Sequence, residues 1–127
     1  MKELTRAELQ VMQILWRLKK GFVKDILARF SEPKPAYNTV STIVRLLTKK
    51  GFVGHKAYGK THEYYPLLDR EEYTRTFFNN MVKRFFNGSH RQFASFFASE
   101  GDLSLTELEE LRRIVEEQIE KQSPGEK

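Results

Sequence analysis

The segment from residue 36 to residue 53, AYNTVSTIVRLLTKKGFV, constrains the fold more than any other part of the chain. Its apolar residues have the i, i+3, i+4, i+7 spacing of a helix with one buried stripe: Val40, Ile43, Val44 and Leu47. The opposite face has amide, hydroxyl and cationic groups but no carboxylate: Asn38, Ser41, Thr42, Arg45 and Lys49. Such side chains can contact base edges and phosphates in a DNA major groove, although an ordinary solvated helix face is the alternative. The segment therefore predicts a recognition helix.

The flanking segments predict a winged helix-turn-helix domain. Thr5 and Glu8 form a capping-box pattern at the start of a first helix, which ends with a glycine stop at Gly21. Its inward side is assigned to Leu9, Met12, Leu15, Trp16 and Leu18. A second helix covers residues 23–30, and the prolines at 33 and 35 end it. Residues 52–57 and 62–66 then predict a hairpin around the turn at residues 58–61.

The hairpin tip carries side chains that can hydrogen-bond to phosphate. We assign DNA contacts to Tyr58, Lys60 and Thr61 there, because phosphate accepts from ammonium and hydroxyl groups alike. A solvated tip is the alternative reading when the hairpin is taken alone. Together with Thr39, these residues complete the predicted DNA-binding set on the helix and the hairpin.

The second half of the chain predicts a helical dimerisation extension. Capping-box patterns at Asp69 and Ser104 open two helices, and a break at residues 87–89 separates the first from a short aromatic segment. About 55 residues are too few for an independent core, so we expect a second copy to cover the apolar faces. The predicted contact residues are Tyr73, Phe77, Met81, Phe85, Leu108, Leu111 and Val115.

Charge divides the chain in the same place. Residues 1–66 contain 13 Lys and Arg against 5 Asp and Glu, whereas residues 67–127 contain 9 against 12. A basic first half suits nucleic acid, and an acidic, phenylalanine-rich second half suits a protein partner. We therefore predict a mainly α protein with a DNA-binding domain at 1–68, a dimerisation domain at 69–122 and a flexible tail at 123–127.

Several functional classes have little support in the composition. The chain has no cysteine, which excludes disulfides and thiolate chemistry. We predict no enzyme, cofactor or metal site, because His55, His62 and His90 lack a compact ligand spacing and no nucleophile stands beside a base. No apolar run is long enough to span a bilayer, so we expect a cytoplasmic protein without membrane insertion.

Several blocks of sequence resemble the penicillinase-repressor family (BlaI/MecI/CopY). The resemblance runs from about residue 3 to residue 120, and its most specific parts are the first-helix signature and the Tyr-Asn-Thr-Val block. The matching segments are residues 4–12 with Leu15 and Trp16, residues 37–42 with Arg45 and Leu46, residues 49–53, residues 64–67, and residues 102–104 with Glu107, Leu108, Glu110 and Leu111.

The resemblance implies a dimeric winged-helix repressor that binds a palindromic operator. In the β-lactam-responsive members, a membrane metalloprotease sensor triggers cleavage in the dimerisation domain, and the repressor leaves its operator. Those members are similar in having an Asn-Phe bond where this chain has Phe96 and Phe97, so the Asn is missing from the candidate cleavage site. The copper-responsive members carry a cysteine pair that this chain lacks, which excludes that form of copper sensing.

Residue patterns leave a second function open. A protein-interaction module can use the same winged helix and the same aromatic helices to bind another protein. Steep salt dependence of duplex binding would distinguish the two, because contacts with phosphate release counterions and apolar docking does not.

Overall fold

The structure, a computed structural model, describes residues 3–123 of the chain. Six helices and two strands follow one another within this range: α1 (Arg6–Leu18), α2 (Val23–Ala28), α3 (Tyr37–Lys49), β1 (Val53–Tyr58), β2 (Thr61–Pro66), α4 (Arg70–Phe86), α5 (His90–Glu100) and α6 (Leu105–Gln122). The predicted order of three helices, a hairpin and further helices is confirmed. Residues 124–127 of the predicted flexible tail lie outside the described residues.

Helix α1 begins as predicted but ends differently. The Thr5 N–H donates to Glu8 Oε1 at 2.9 Å, and the Glu8 N–H donates to Thr5 Oγ1 at 3.2 Å, which completes the capping box. The predicted stop at Gly21 is wrong, because Lys19 adopts the positive φ of 72° that turns the chain out of the helix. Gly21 instead exchanges two backbone hydrogen bonds with Tyr64, of 2.9 and 2.8 Å, beside the hairpin.

Helix α2 is two residues shorter than predicted. The Arg29 N–H bonds to Ile26 O and the Phe30 N–H bonds to Leu27 O, three residues back, so the chain tightens after Ala28. The ammonium of Lys34 then donates to the Ala28 carbonyl at 3.0 Å and to the Phe30 carbonyl at 2.8 Å. These contacts satisfy carbonyl groups that a longer helix would otherwise have paired.

Helix α3 buries the stripe that the sequence predicts. Val40, Val44 and Leu47 are fully buried, and Ile43 packs against the same core. The helix ends where Gly51 takes a φ of +86°, with the Gly51 N–H bonded to Thr48 O and the Phe52 N–H bonded to Leu47 O. This pair of bonds is a Schellman motif, and it directs the chain into β1.

Strands β1 and β2 form an antiparallel hairpin with a tighter turn than predicted. Tyr58 pairs with Thr61, so only Gly59 and Lys60 lie in the loop instead of the expected four residues. Gly59 has a φ of +64°, which a two-residue hairpin loop requires at its first position and which glycine adopts without a Cβ clash. The hairpin therefore projects as a short wing beside α3.

The chain divides into two compact units, with the boundary between Phe78 and Asn79. The first unit contains the main core, in which α1, α2 and α3 pack with both strands. Tyr73 of α4 belongs to this core, since its hydroxyl accepts from the Leu4 N–H at 2.9 Å and its ring lies 6.0 Å from that of Phe52. The beginning of α4 thus contributes to the first unit.

The second unit has far less buried apolar surface. Of its described residues, Val82 alone is a buried hydrophobic side chain, with 1% of its surface exposed. Phe86 packs against the rings of Phe93 and Phe96 at 5.7 Å, and Phe93 stacks on Phe97 at 5.8 Å. The predicted helix break occurs at Asn87 and Gly88, which both have positive φ. Ser104 and Glu107 form the predicted capping box of α6.

Candidate nucleic-acid interface

The outer face of α3 presents the side chains that the sequence assigned to DNA. Most of them are exposed, and the Ser41 side chain is half-buried at the edge of the face. Arg45 Nη2 donates to Thr42 Oγ1 at 3.5 Å, one turn away on the same face. The exposed members are Asn38, Thr39, Thr42, Arg45 and Lys49.

A cleft of about 680 Å³ lies between α3 and the hairpin, with residues of α2 at its edge. We call it the wing cleft. No carboxylate is among the described residues that line it, and its walls include both aromatic and cationic side chains. An anion that enters the cleft meets cations from α2, α3 and the hairpin. The lining residues are Phe22, Val23, Lys24, Tyr37, Ser41, Arg45, Thr48, Lys49, His55, Lys60, Thr61, His62 and Tyr64.

Four of the predicted contact residues lie outside the wing cleft: Asn38, Thr39, Thr42 and Tyr58. Thr39 lines a separate groove between α3, α1 and the turn that precedes α3. Tyr58 is exposed near the hairpin tip, where its ring lies 5.8 Å from that of Phe22 and 5.4 Å from the Lys56 ammonium. The structure therefore brings Ser41, Arg45 and Lys49 together with Lys60 and Thr61 in one cleft. Asn38, Thr39, Thr42 and Tyr58 remain exposed outside it.

Sequence reasoning missed Tyr37, Lys24 and Leu46, among other residues of this surface. Tyr37 and Lys24 line the wing cleft, from α3 and α2 respectively. Leu46 has 45% of its surface exposed on the outer half of α3, although the apolar pattern alone does not distinguish it from its buried neighbour Leu47. The signal that could have found Leu46 is its angular position, since at about 100° per residue it falls near Thr42 and away from the buried stripe.

Sequence reasoning treated His55 and His62 as separate surface residues, but in the structure their rings are stacked. His55 pairs with Tyr64 across the hairpin and His62 pairs with Ala57, which places both imidazoles on one face of the strands. Their ring centroids are 4.4 Å apart and their planes differ by 14°. The strand register explains the pairing, since residues two apart along a strand share a face.

A buried ion pair holds the end of α3 against the start of α1. Glu8 has only 3% of its surface exposed, and the Lys50 ammonium lies 2.7 Å from its Oε2 and 2.9 Å from its Oε1. Burial raises the pKa of Glu8, but the hydrogen bonds from Lys50 and Thr5 and the charge of Lys50 outweigh it and leave the pKa below its usual value of 4.5. This contact links the end of α3 to the start of α1 without lying on the outer face of α3.

The predicted dimerisation residues differ widely in exposure. Tyr73 is in the core of the first unit with 7% of its surface exposed, so it has little area left for a second chain. Met81, Leu108 and Leu111 are half-buried. Phe77, Phe85 and Val115 are exposed, and Phe85 reaches 73%. The exposed apolar side chains of α4 and α6 thus remain available to a partner.

The candidate cleavage site lies inside a helix. Phe96 and Phe97 are in α5, and both side chains are partly solvent-accessible.

Within residues 3–123, no cluster of three or more His, Asp or Glu side chains has the arrangement of a metal site. None of the helices in that range has the length and apolarity required to cross a membrane.

The three-helix core, the hairpin wing and the cationic outer face of α3 define a winged-helix protein. Residues 4–117 match the family described as penicillinase repressor, and the chain belongs to that family. The resemblance seen in the sequence is therefore confirmed, and so is the winged-helix fold class.

Known relatives cover nearly the whole chain. It is 30% identical to the methicillin resistance regulatory protein MecI of Staphylococcus aureus (strain N315) over 114 residues, which span 89% of this chain and 93% of that protein. It is 28% identical to the penicillinase repressor of Bacillus licheniformis over 116 residues, or 91% of each chain. The solved DNA-binding domain of the repressor BlaI matches 57% of this chain and 94% of its own, with 27% identity and a TM-score of 0.49.

Proposed function

We propose that the protein is a cytoplasmic transcriptional repressor that binds a palindromic operator as a homodimer. The observation that carries this proposal is the outer face of α3, which continues into the carboxylate-free wing cleft and joins base-reading and phosphate-binding groups on one surface. Membership of a family of repressors supports it independently. The proposed domains are 1–68 for DNA binding and 69–122 for dimerisation.

In the proposed complex, α3 enters the major groove and the hairpin contacts the backbone. Asn38, Ser41, Thr42 and Arg45 hydrogen-bond to base edges, and Leu46 makes an apolar contact with a thymine methyl group. Thr39 and Lys49 border the groove. Lys60, Thr61 and Tyr58 contact phosphate at the wing. Because two α3 helices are needed on one side of the duplex, an operator with two-fold symmetry follows from a symmetric dimer.

The test of this proposal begins with selection of a duplex from a random pool by the full-length protein. Arg45→Ala should weaken binding to the selected duplex by about 1–3 kcal/mol and relax the preference at one base pair. Lys60→Ala should weaken binding to all sequences by a similar factor and reduce the slope of log K against log salt by about 1. Salt-independent binding, or an Arg45→Ala variant with full affinity and specificity, would contradict the proposed recognition mode.

Proteolysis between Phe96 and Phe97 is the proposed release step, with a membrane metalloprotease sensor as partner. A cut in α5 would separate α6 from the rest of the chain and weaken the dimer. Each DNA-binding domain would then lose the effective concentration that the dimer provides, a factor of roughly 10² to 10⁴ in affinity. Mass spectrometry after incubation with membranes that contain the sensor tests the step. Release of the operator from an uncut chain would exclude it.

A further inference from the structure

The stacked histidines of the hairpin lie on the surface that faces DNA in the proposed complex. His55 and His62 both line the wing cleft, and both residues are exposed to solvent. Their centroid distance of 4.4 Å concentrates two imidazoles on one small area of the wing. An imidazole can donate an N–H when neutral and donates from both nitrogens once protonated.

The other side chains that line the wing cleft with this pair are neutral or cationic. Lys24 comes from α2, Tyr37, Arg45 and Lys49 come from α3, and Lys60 and Tyr64 come from the hairpin. The carboxylate of the hairpin, Glu63, is cross-strand from Lys56, and strand alternation places both on the face opposite the histidines.

The described walls of the wing cleft supply cations but no counter-anion. The described lining of the cleft has no Asp or Glu that could pair with an imidazolium. A phosphodiester is a suitable ligand, because it is a permanent anion whose oxygens accept from imidazole N–H, ammonium and guanidinium groups. In the proposed complex the DNA backbone is the only phosphodiester that approaches this surface.

We infer that His55 and His62 form a binding site for one backbone phosphate of the operator and that DNA binding there is coupled to uptake of a proton by the pair. This inference rests on the proposed function and specifies one contact within it. A nearby phosphate favours the protonated form, and by linkage the protonated form favours DNA.

The experiment measures affinity of the full-length protein for its selected duplex by fluorescence anisotropy. The pH is lowered from about 8 to about 5.5 at constant ionic strength, a range in which His titrates and exposed carboxylates stay ionised. The wild-type affinity should rise about tenfold, the size of one hydrogen bond to a charged group. The double variant His55→Gln, His62→Gln should bind with nearly constant affinity over this range.

Two further variants separate a phosphate contact from a structural role. With Gln at position 55, His62→Arg provides a permanent cation, so it should restore the tight binding of the wild-type protein at low pH and remove the pH dependence. His90→Gln is the matched control in α5 and should keep the wild-type pH profile. The double Gln variant should also reduce the slope of log K against log salt at low pH by about 1.

The results of this experiment distinguish failure of the inference from failure of the proposed function. If the wild-type protein binds no duplex at any pH, the proposed function fails and this inference fails with it. If the wild-type protein binds DNA but the double Gln variant keeps the same pH response and the same salt slope, only the inference is overturned.

Discussion

At the scale of single residues, Glu8 connects local and long-range structure. Its carboxylate accepts from the Thr5 N–H in the first turn of α1 and from the Lys50 ammonium at the end of α3. Glu8 and Lys50 are 42 residues apart in sequence, so this one buried carboxylate connects α1 with the end of α3. Loss of that carboxylate would leave Lys50 without its anion and the start of α1 without half of its cap.

We predict that Glu8→Gln lowers the free energy of unfolding by about 1–3 kcal/mol at neutral pH. The pKa of Glu8 is lowered in the folded state, so its stabilisation is complete above its ordinary value of 4.5 and is lost as the pH falls through the folded value. The stability difference between the two proteins should therefore shrink in acid. Urea unfolding at one protein concentration measures it, with Glu32→Gln as an exposed control. A difference that does not change with pH would contradict the assignment.

Leu46 gives a second prediction at this scale. Leu46→Ala should weaken binding to the selected duplex by about 0.5–1 kcal/mol, the value of roughly one buried methyl group. Replacement of the contacted thymine by deoxyuridine removes the same contact from the DNA side. The wild-type protein should lose affinity on that duplex and the variant should lose almost none, as a double-mutant cycle on anisotropy data would show. Equal losses for both proteins at every thymine position would rule out the contact.

At the scale of elements, the end of α3 determines how the recognition helix and the wing are joined. The Schellman motif requires Gly51 at a φ of +86°, and Phe52 follows it into the core. Lys50, the residue before Gly51, anchors the same turn to Glu8. The relative position of α3 and the hairpin, and hence the width of the wing cleft, depends on this turn.

We predict that Gly51→Ala destabilises the protein by about 1 kcal/mol, because a Cβ disfavours the left-handed conformation. No neighbour lies within 4 Å of the position where that Cβ would be, so the cost comes from backbone strain and not from a clash. Gly51→Asn is the matched variant and should cost less, since Asn tolerates positive φ better than Ala. Thermal unfolding measures both. An equal loss for Ala and Asn would contradict the explanation.

At the scale of the whole molecule, the two units differ in how they satisfy their apolar residues. The first unit buries a continuous cluster from α1, α2, α3, the hairpin and Tyr73. In the second unit, apolar side chains along α4 and α6 remain exposed, including Phe85, Val115 and Ile119. Such surface favours association, and a second copy of the same chain is the partner that we propose.

We predict a dimer at micromolar concentration in sedimentation experiments. Phe85→Asp and Val115→Asp, made together, should shift the protein toward a monomer, because charges would replace apolar surface within the contact. DNA affinity should fall in parallel, since each protomer would bind its half-site alone. Leu67→Asp, an exposed position in the first unit, is the control. A wild-type monomer at this concentration would contradict the proposed dimer.

Elements whose signals are local can be predicted from the amino-acid sequence alone. The three capping boxes at Thr5, Asp69 and Ser104 were predicted correctly, because each depends on hydrogen bonds that join residues three positions apart. The buried stripe and polar face of α3 also follow from helical periodicity, which needs no knowledge of the packing partner.

Features that depend on residues far apart in the chain become visible only in the folded protein. Gly21 bonds to Tyr64 instead of ending α1, and Tyr73 joins the core of the first unit. The hairpin register stacks His55 on His62. The physical reason is that burial and pairing depend on which surfaces meet after the chain closes, and local propensity does not contain that information.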